Sequence, residues 1–182
     1  MKSNNIIKIL ISIIICELAG VAGSFFSTPE INGWYRNLDK PALTPPAWMF
    51  GPVWTLLFVL MGVSLYLVWS KNWVVNTEKT EAKLWNPLSQ KLWTGSWSRI
   101  NIISIFCLQL ILNVLWSVIF FRIHSPAWAF FELLMLWFAI LFTIINFYRV
   151  SRAAAYLLIP YILWVSFAGV LNYFLWTLNL LS

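Results

Sequence analysis

The stretch INIISIFCLQLILNVLWSVIFF, residues 100–121, decides the fold because it is apolar on every side. At a rise of about 1.5 Å per residue, a helix of this length crosses the roughly 30 Å of hydrocarbon in a bilayer. Further segments of this kind occupy residues 6–26, 47–70, 127–148 and 156–181. A transmembrane barrel would instead show shorter segments of alternating polarity. The pattern predicts an all-α fold: an integral membrane bundle of five transmembrane helices, forming a single domain over residues 1–182.

The basic residues sort by membrane side. Of the twelve lysines and arginines, only Arg36, Lys40 and Arg122 fall in loops one and three; the other nine fall near the N-terminus, in loop two or in loop four. Because cytoplasmic loops carry the excess of positive charge, the N-terminus is predicted to be cytoplasmic and the C-terminus outside. The net charge of +6 therefore indicates topology, and no nucleic-acid partner is expected.

Groups for conventional catalysis are scarce in this chain, of which only 10% is charged. His124 is the only histidine, and Cys16 and Cys107 lie within apolar segments, where they are expected to be small buried side chains. No metal site and no disulfide are predicted. The sequence shows no hydrolytic triad and no phosphate-binding loop, which disfavours a conventional enzyme.

Loop one, residues 27–46 (STPEINGWYRNLDKPALTPP), is rich in turn formers and aromatic residues. Asn32 and Gly33 mark a turn, and Pro41, Pro45 and Pro46 hold parts of the loop extended. We expect an ordered lid over one end of the helices. Loop two, residues 71–98, contains several tryptophans and is consistent with an amphipathic surface helix at headgroup level. Loops three and four are short, which makes helices three, four and five antiparallel neighbours.

Nine of the thirteen tryptophans fall into two groups by their position. One group lies at the cytoplasmic boundary, where interfacial anchoring accounts for it: Trp69, Trp73, Trp93 and Trp97. The other group comes from loop one and from helices two to five, and it converges beneath loop one: Trp34, Trp54, Trp116, Trp128 and Trp164. If these side chains face inward, they form a lidded aromatic pocket. The alternative is that they fill gaps between helices or face lipid.

Acids and amides also lie within the predicted spans. Glu17 and Glu132 would be costly as ions in hydrocarbon, and no lysine or arginine lies at a matching depth to pair with them. We expect both to hydrogen-bond to neighbouring helices, with a structural role favoured over ligand contact. Asn113 and Asn172 lie at a depth similar to that of Glu132, on the loop-one side. The small residues within 19–23, together with Ala168 and Gly169, let backbones approach closely or leave space beside larger neighbours, and close packing is favoured for most of them.

Ordered motifs run through all five spans and support a more specific interpretation. In and after loop one they are Trp34-Tyr35, Leu38, Lys40-Pro41, Pro45-Pro46 and Gly51-Pro52-Val53-Trp54-Thr55. In the later helices they are Gln109, Leu112-Asn113, Trp116, Phe120-Phe121, Trp128, Glu132, Pro160-Tyr161, Trp164, Phe167-Ala168 and Leu171-Asn172-Tyr173. This set resembles the tryptophan-rich sensory protein family, also called translocator protein or peripheral-type benzodiazepine receptor.

The resemblance implies a five-helix bundle, often a homodimer, enclosing a pocket for tetrapyrroles such as protoporphyrin and haem, for sterols and for synthetic benzodiazepine-type ligands. No cofactor is required beyond porphyrin or haem as the ligand. The ligand-binding positions that carry over are Trp34, Tyr35, Phe50, Trp54, Asn113, Trp116, Trp128, Trp164, Ala168 and Leu171. A flat porphyrin could stack on the tryptophans while Arg36 or Lys40 meets its propionates.

The function expected from this resemblance is a membrane receptor or translocator for porphyrins, acting in tetrapyrrole homeostasis or stress sensing. The alternative is a light-dependent porphyrin-degrading enzyme, in which Trp54 and Trp164 would be the redox partners of the excited ring. A structural or scaffold membrane protein is a third possibility. Sterol binding is disfavoured, because Tyr173 in helix five is not followed by the lysine or arginine of the family's proposed sterol pattern.

Overall fold

The computed structural model describes residues 2–71 and 99–180. Within them, the chain forms α1 (Lys2–Asn32), a 3₁₀ turn (Trp34–Asn37), α2 (Ala47–Trp69), α3 (Arg99–Ser117) with a π-helical turn (Val118–Arg122), α4 (Pro126–Val150), α5 (Arg152–Leu157) and α6 (Ile159–Leu178). Five spans are long and apolar enough to cross a membrane, and α5 with α6 forms the fifth of them. The predicted all-α membrane bundle is confirmed. The surface helix predicted in loop two, with Trp73, Trp93 and Trp97, lies outside the described residues.

The first helix is longer than predicted. It continues to Asn32, so residues 27–32, which were predicted to belong to loop one, are helical. Pro29 lies in the last turn of this helix, where its missing N–H removes only one backbone hydrogen bond. An apolar environment favours helix over irregular backbone, because backbone groups have no water to bond. The lid is therefore the shorter segment 33–46.

The fifth span is interrupted once, between α5 and α6. Pro160 lies in the first turn of α6 and has no N–H to donate back to the preceding turn, which explains the break at Leu158. The span begins earlier than predicted because Ser151 caps α5, its side chain accepting a hydrogen bond from the Ala154 N–H at 3.4 Å.

Close helix packing involves α1 with α2, α3 with α4, α4 with α6, and α1 with α3. Helices three to five of the sequence analysis are thus neighbours, as predicted. At Gly62 the backbones of α1 and α2 approach so closely that an added Cβ would lie 2.5 Å from the Ile13 Cα. The Ser64 hydroxyl ties α2 to α5 by donating to the Ala154 carbonyl at 2.7 Å.

The two cysteines differ in their surroundings. Cys16 is buried in the core of the bundle, as predicted. Cys107 is exposed on the outer face of α3, so the prediction that it is buried was wrong. An apolar segment in a membrane is apolar on its lipid side as well as its core side, and composition alone therefore does not distinguish the two faces.

α2 and α6 are not among the pairs whose backbones pack closely, and aromatic side chains bridge the space between them. The rings of Phe50 and Trp164 meet edge to face at 6.2 Å, and those of Trp54 and Tyr161 do so at 6.3 Å. This separation leaves room for a cavity at the lid end of the bundle.

Candidate functional site

A cavity of about 300 Å³ lies between α1, α2, α3 and α6. Tyr35, in the 3₁₀ turn of the lid, contributes to its lining, together with residues from the end of α1 and the start of α2. The cavity therefore sits directly beneath the lid. None of its described lining residues comes from α4.

Aromatic rings form much of the cavity wall. Trp54 stacks on Phe58 at 5.7 Å with an interplanar angle of 29°. On α3 and its π-helical turn, Trp116 stacks on Phe120 at 5.1 Å with an angle of 19°. Trp164 of α6 completes the wall. Such stacked and edge-on pairs hold the rings in defined orientations and leave broad apolar faces toward the cavity.

The structure brings eight of the ten predicted ligand-binding residues to this cavity. Those that line it are Tyr35, Phe50, Trp54, Asn113, Trp116, Trp164, Ala168 and Leu171. The two that do not are Trp34 and Trp128.

Trp34, which belongs to the lid, holds it in place through contacts outside the cavity. Its ring stacks on the His124 imidazole at 4.5 Å and meets Phe120 edge to face at 5.6 Å. His124 in turn lies 3.1 Å from the Glu30 carboxylate and has a backbone φ of 57°, an uncommon conformation for a residue other than glycine. These contacts connect the lid to the end of α1 and to the loop before α4.

Trp128 faces away from the cavity, with 71% of its surface exposed. It lies at the start of α4, where its ring contacts that of Phe131 at 6.4 Å. Because α4 packs behind α3 and α6, its residues do not reach the cavity. Depth along a span, which suggested Trp128 from the sequence, does not determine the direction in which a side chain points.

α1 contributes one wall of the cavity, which was not predicted from the sequence. Glu17, Gly20, Ser24 and Ser27 line the cavity along this helix. Their spacing of three, four and three residues places them on one helix face, and this periodicity was the available signal. Close packing was the favoured interpretation of the small residues; Gly20 packs against the Phe58 ring and also lines the cavity.

Hydrogen bonds fix the polar side chains of the cavity. The Asn113 amide donates to the Tyr161 hydroxyl at 3.0 Å. The Trp116 indole N–H donates to the Asn172 carbonyl oxygen at 3.1 Å, and the Asn172 amide donates to the Pro126 carbonyl at 2.7 Å. This network joins α3, α4 and α6 and orients Trp116 in the wall.

The hydrogen bonds predicted for the membrane acids are not formed. Glu132 is only 6% exposed, yet neither of its carboxyl oxygens has a hydrogen-bond partner among the described residues. The Oε1 atom of Glu17 is likewise buried without one. The prediction failed because Asn113 and Asn172, the amides at a depth similar to that of Glu132, are engaged by Tyr161, Trp116 and Pro126.

The lid is also tied to the end of α6. The Asp39 backbone N–H donates to the Asn179 side chain at 3.0 Å, and the Asn179 amide donates back to the Asp39 carbonyl at 3.0 Å.

Within the lid, Lys40 donates to the carbonyls of Arg36 and Leu38 and lies over the Tyr35 ring, 4.9 Å from its centroid. Burial raises the pKa of the Tyr35 phenol, which keeps it neutral. Neither Lys40 nor Arg36 lines the cavity.

Comparison with known proteins agrees with this architecture. Residues 12–177 match the TspO/MBR family. The tryptophan-rich protein TspO of Archaeoglobus fulgidus is 35% identical over 175 residues, which cover 96% of this chain and 99% of that protein. The translocator protein of Homo sapiens is 38% identical over 166 residues, covering 89% and 86%, and the tryptophan-rich sensory protein of Cereibacter sphaeroides is 26% identical over 164 residues, covering 90% and 86%. The chain, a multi-pass membrane protein with a lidded cavity, therefore belongs to the TspO/MBR family.

Proposed function

We propose that this protein binds porphyrins, such as protoporphyrin and haem, in the cavity beneath the lid, and acts in tetrapyrrole homeostasis or stress sensing. The observation that carries the proposal is the cavity wall, where Phe50, Trp54, Trp116 and Trp164 arrive from three helices. A porphyrin is a broad, flat π system, and aromatic faces and edges are well suited to pack against it.

The size of the cavity bears on how such a ligand would sit. Its volume of about 300 Å³ is at the lower end of the range for small-molecule sites. A porphyrin with its substituents is larger than this volume, so part of the bound ring would extend through the open side of the cavity or displace the lid. The propionates would remain at the mouth, near exposed Arg36, because the described lining residues include no lysine or arginine.

The proposal is tested by titrating purified protein with protoporphyrin while tryptophan fluorescence is recorded. Saturable quenching is expected, and Trp54→Phe should weaken the affinity because the ligand loses an indole face. Quenching that rises linearly without saturation in the wild-type protein would contradict a defined site. Porphyrin flux across proteoliposomes would then distinguish a translocator from a sensor.

A second candidate function is light-dependent porphyrin degradation. It is favoured by the positions of Trp54 on α2 and Trp164 on α6, since both line the same cavity. A bound, excited porphyrin would lie beside two oxidisable indoles. Illumination in the presence of oxygen should then produce a bilin-like absorbance that declines in Trp54→Phe and Trp164→Phe. A porphyrin spectrum that survives illumination unchanged would leave binding as the function.

The orientation in the membrane is part of the same proposal. The distribution of basic residues favours an N-terminus in the cytoplasm and a lid outside. Ligand would therefore reach the cavity from the non-cytoplasmic side. Reporter fusions at the two termini, one enzyme active only in the cytoplasm and one active only outside it, test this orientation.

We also propose that the protein forms a homodimer, on the strength of the family resemblance. Mass measurement of the protein in its native state, extracted in a mild detergent, tests this directly. A mass corresponding to two chains is expected, and a single-chain mass across a range of detergents and concentrations would contradict it.

A further inference from the structure

Glu17 is the one ionisable side chain that α1 contributes to the described cavity lining. It lies near the middle of the span Asn5–Asn32. Its Oε1 atom is buried and accepts no hydrogen bond from any residue that the structure describes. A carboxyl group at this depth is costly unless a partner satisfies it. Its position in a cavity wall raises the question of which group could be that partner.

Among the described residues, no side chain that lines the cavity donates a hydrogen bond to the Oε1 atom of Glu17. The described lining residues include no lysine, arginine or histidine. Of the two asparagines, Asn113 donates to the Tyr161 hydroxyl, and Asn172 donates to the Pro126 carbonyl. These two amides are directed toward other partners, and the Glu17 carboxyl group, which lines the cavity, can accept a hydrogen bond from a molecule that enters it.

The surroundings of Glu17 indicate what kind of molecule this is. Gly20 follows one helical turn later on the same face of α1, and an added Cβ there would lie 2.6 Å from the Phe58 ring. Phe58 in turn stacks on Trp54. Glu17 therefore lines the same cavity as the Trp54–Phe58 pair, one helical turn along α1 from the position that contacts Phe58. A ligand that contacts both must combine an aromatic ring with a hydrogen-bond donor.

We propose that Glu17 is a specificity determinant that selects compact aromatic ligands carrying an amine or another N–H donor. A carboxyl group keeps an acceptor oxygen whether it is neutral or ionised, and a protonated amine would make the stronger, charge-assisted bond to the ionised form. A ligand carboxylate would meet no cation in the cavity. The volume of about 300 Å³ suits a bicyclic ring without movement of the lid. This inference rests on the proposed function in treating the cavity as a ligand site, and it goes further in naming the charge and size of a ligand.

The test compares three naphthalene probes by isothermal titration calorimetry: 1-naphthylmethylamine, the acceptor-only 1-(methoxymethyl)naphthalene and the anion 1-naphthylacetate. The wild-type protein should bind the amine most tightly and the anion least. Glu17→Gln should weaken the amine about tenfold or more, which is the worth of one charge-assisted hydrogen bond, while changing the ether less than about twofold. Glu132→Gln is the matched control, because Glu132 is a buried membrane acid that does not line the cavity.

Each possible result either supports or contradicts the role proposed for Glu17. An unchanged amine affinity in Glu17→Gln, or an equal loss for all three probes, would overturn it. If Glu17→Gln does not fold, the order of the probes on the wild-type protein decides: a preference for the ether or the anion contradicts the proposal. A parallel titration with protoporphyrin separates this inference from the proposed function. Glu17-dependent amine binding without saturable porphyrin binding would retain the inference and reject the porphyrin function, and the reverse result would reject the inference alone.

Discussion

At the scale of single residues, Asn172 connects α6 to both α3 and α4 through its side chain. Through one side-chain amide it accepts a hydrogen bond from Trp116 of α3 and donates one to Pro126 at the start of α4. It is almost fully buried, so its partners have no water to replace it. Asn172 therefore sets both the packing of α6 against its neighbours and the orientation of one wall of the cavity.

Replacing this amide should destabilise the bundle. In Asn172→Leu the Trp116 indole N–H and the Pro126 carbonyl lose their partner, and the free energy of unfolding should fall by about 1–3 kcal/mol. Thermal unfolding in detergent measures the change. Thr177→Val is the control within α6, because the Thr177 hydroxyl bonds only to carbonyls of its own helix. Equal unfolding temperatures for the two variants would show that the network contributes little.

Residue identity predicted the cavity only in part. Trp54, Trp116 and Trp164 could be assigned to it because large aromatics at one depth on several helices are unusual unless they converge. The partners of Asn113 and Asn172 could not be predicted, since a hydrogen bond between helices depends on the rotation of each helix about its axis. The unpartnered state of Glu132 escaped prediction for the same reason.

At the scale of elements, the close approach of α1 and α2 depends on Gly62. An added Cβ there would lie 2.5 Å from the Ile13 Cα, so Gly62→Ala must push the two helices apart. We expect a loss of about 1–3 kcal/mol in unfolding free energy, the usual cost of overpacking. Gly51→Ala in the same helix is the control, because an added Cβ meets no atom within 4 Å. Its stability should stay the same or rise, since alanine favours helix. A smaller loss for Gly62→Ala than for Gly51→Ala would contradict the packing described.

The lid is an element held by contacts outside the cavity. His124→Asn keeps a residue that tolerates a positive φ but removes the ring on which Trp34 stacks. The loss of a stacked pair is worth about 0.5–1.5 kcal/mol, so hydrogen exchange in the lid, residues 33–46, should accelerate by about threefold to tenfold. Ile123→Asn, at the exposed neighbouring position, should leave the exchange unchanged. Unchanged exchange in His124→Asn would mean that other contacts hold the lid.

Helix ends were the least predictable feature of the elements. Pro29 sits inside the last turns of α1, whereas Pro160 accompanies a break between α5 and α6. The same residue type has opposite consequences because the cost of a missing N–H depends on what else can satisfy the neighbouring carbonyl. Periodicity along 17, 20, 24 and 27 would have identified the α1 face of the cavity, and it is the signal to seek in related chains.

At the scale of the whole molecule, the order of the helices decides which side chains can meet. The number and type of spans followed from hydrophobic length, because any segment that crosses lipid must satisfy its own backbone. The exclusion of α4 from the cavity did not follow, since it depends on α4 packing behind α3 and α6. Trp128 shows the consequence most clearly: its depth in the span matches that of the cavity, but its side chain is exposed on the outside of the bundle.

A protoporphyrin titration of a matched pair of variants in α6 tests most directly whether this cavity is the ligand site. Ala168→Phe adds a ring within the cavity, whereas Val170→Phe adds a ring at a position two residues away that is outside the lining and 48% exposed. With both variants folded, Ala168→Phe should weaken porphyrin binding by about tenfold or more, a change of about 1.4 kcal/mol, and Val170→Phe should stay within about twofold of the wild-type affinity. Equal affinities for the two variants, or a greater loss in Val170→Phe, would contradict a porphyrin site beneath the lid.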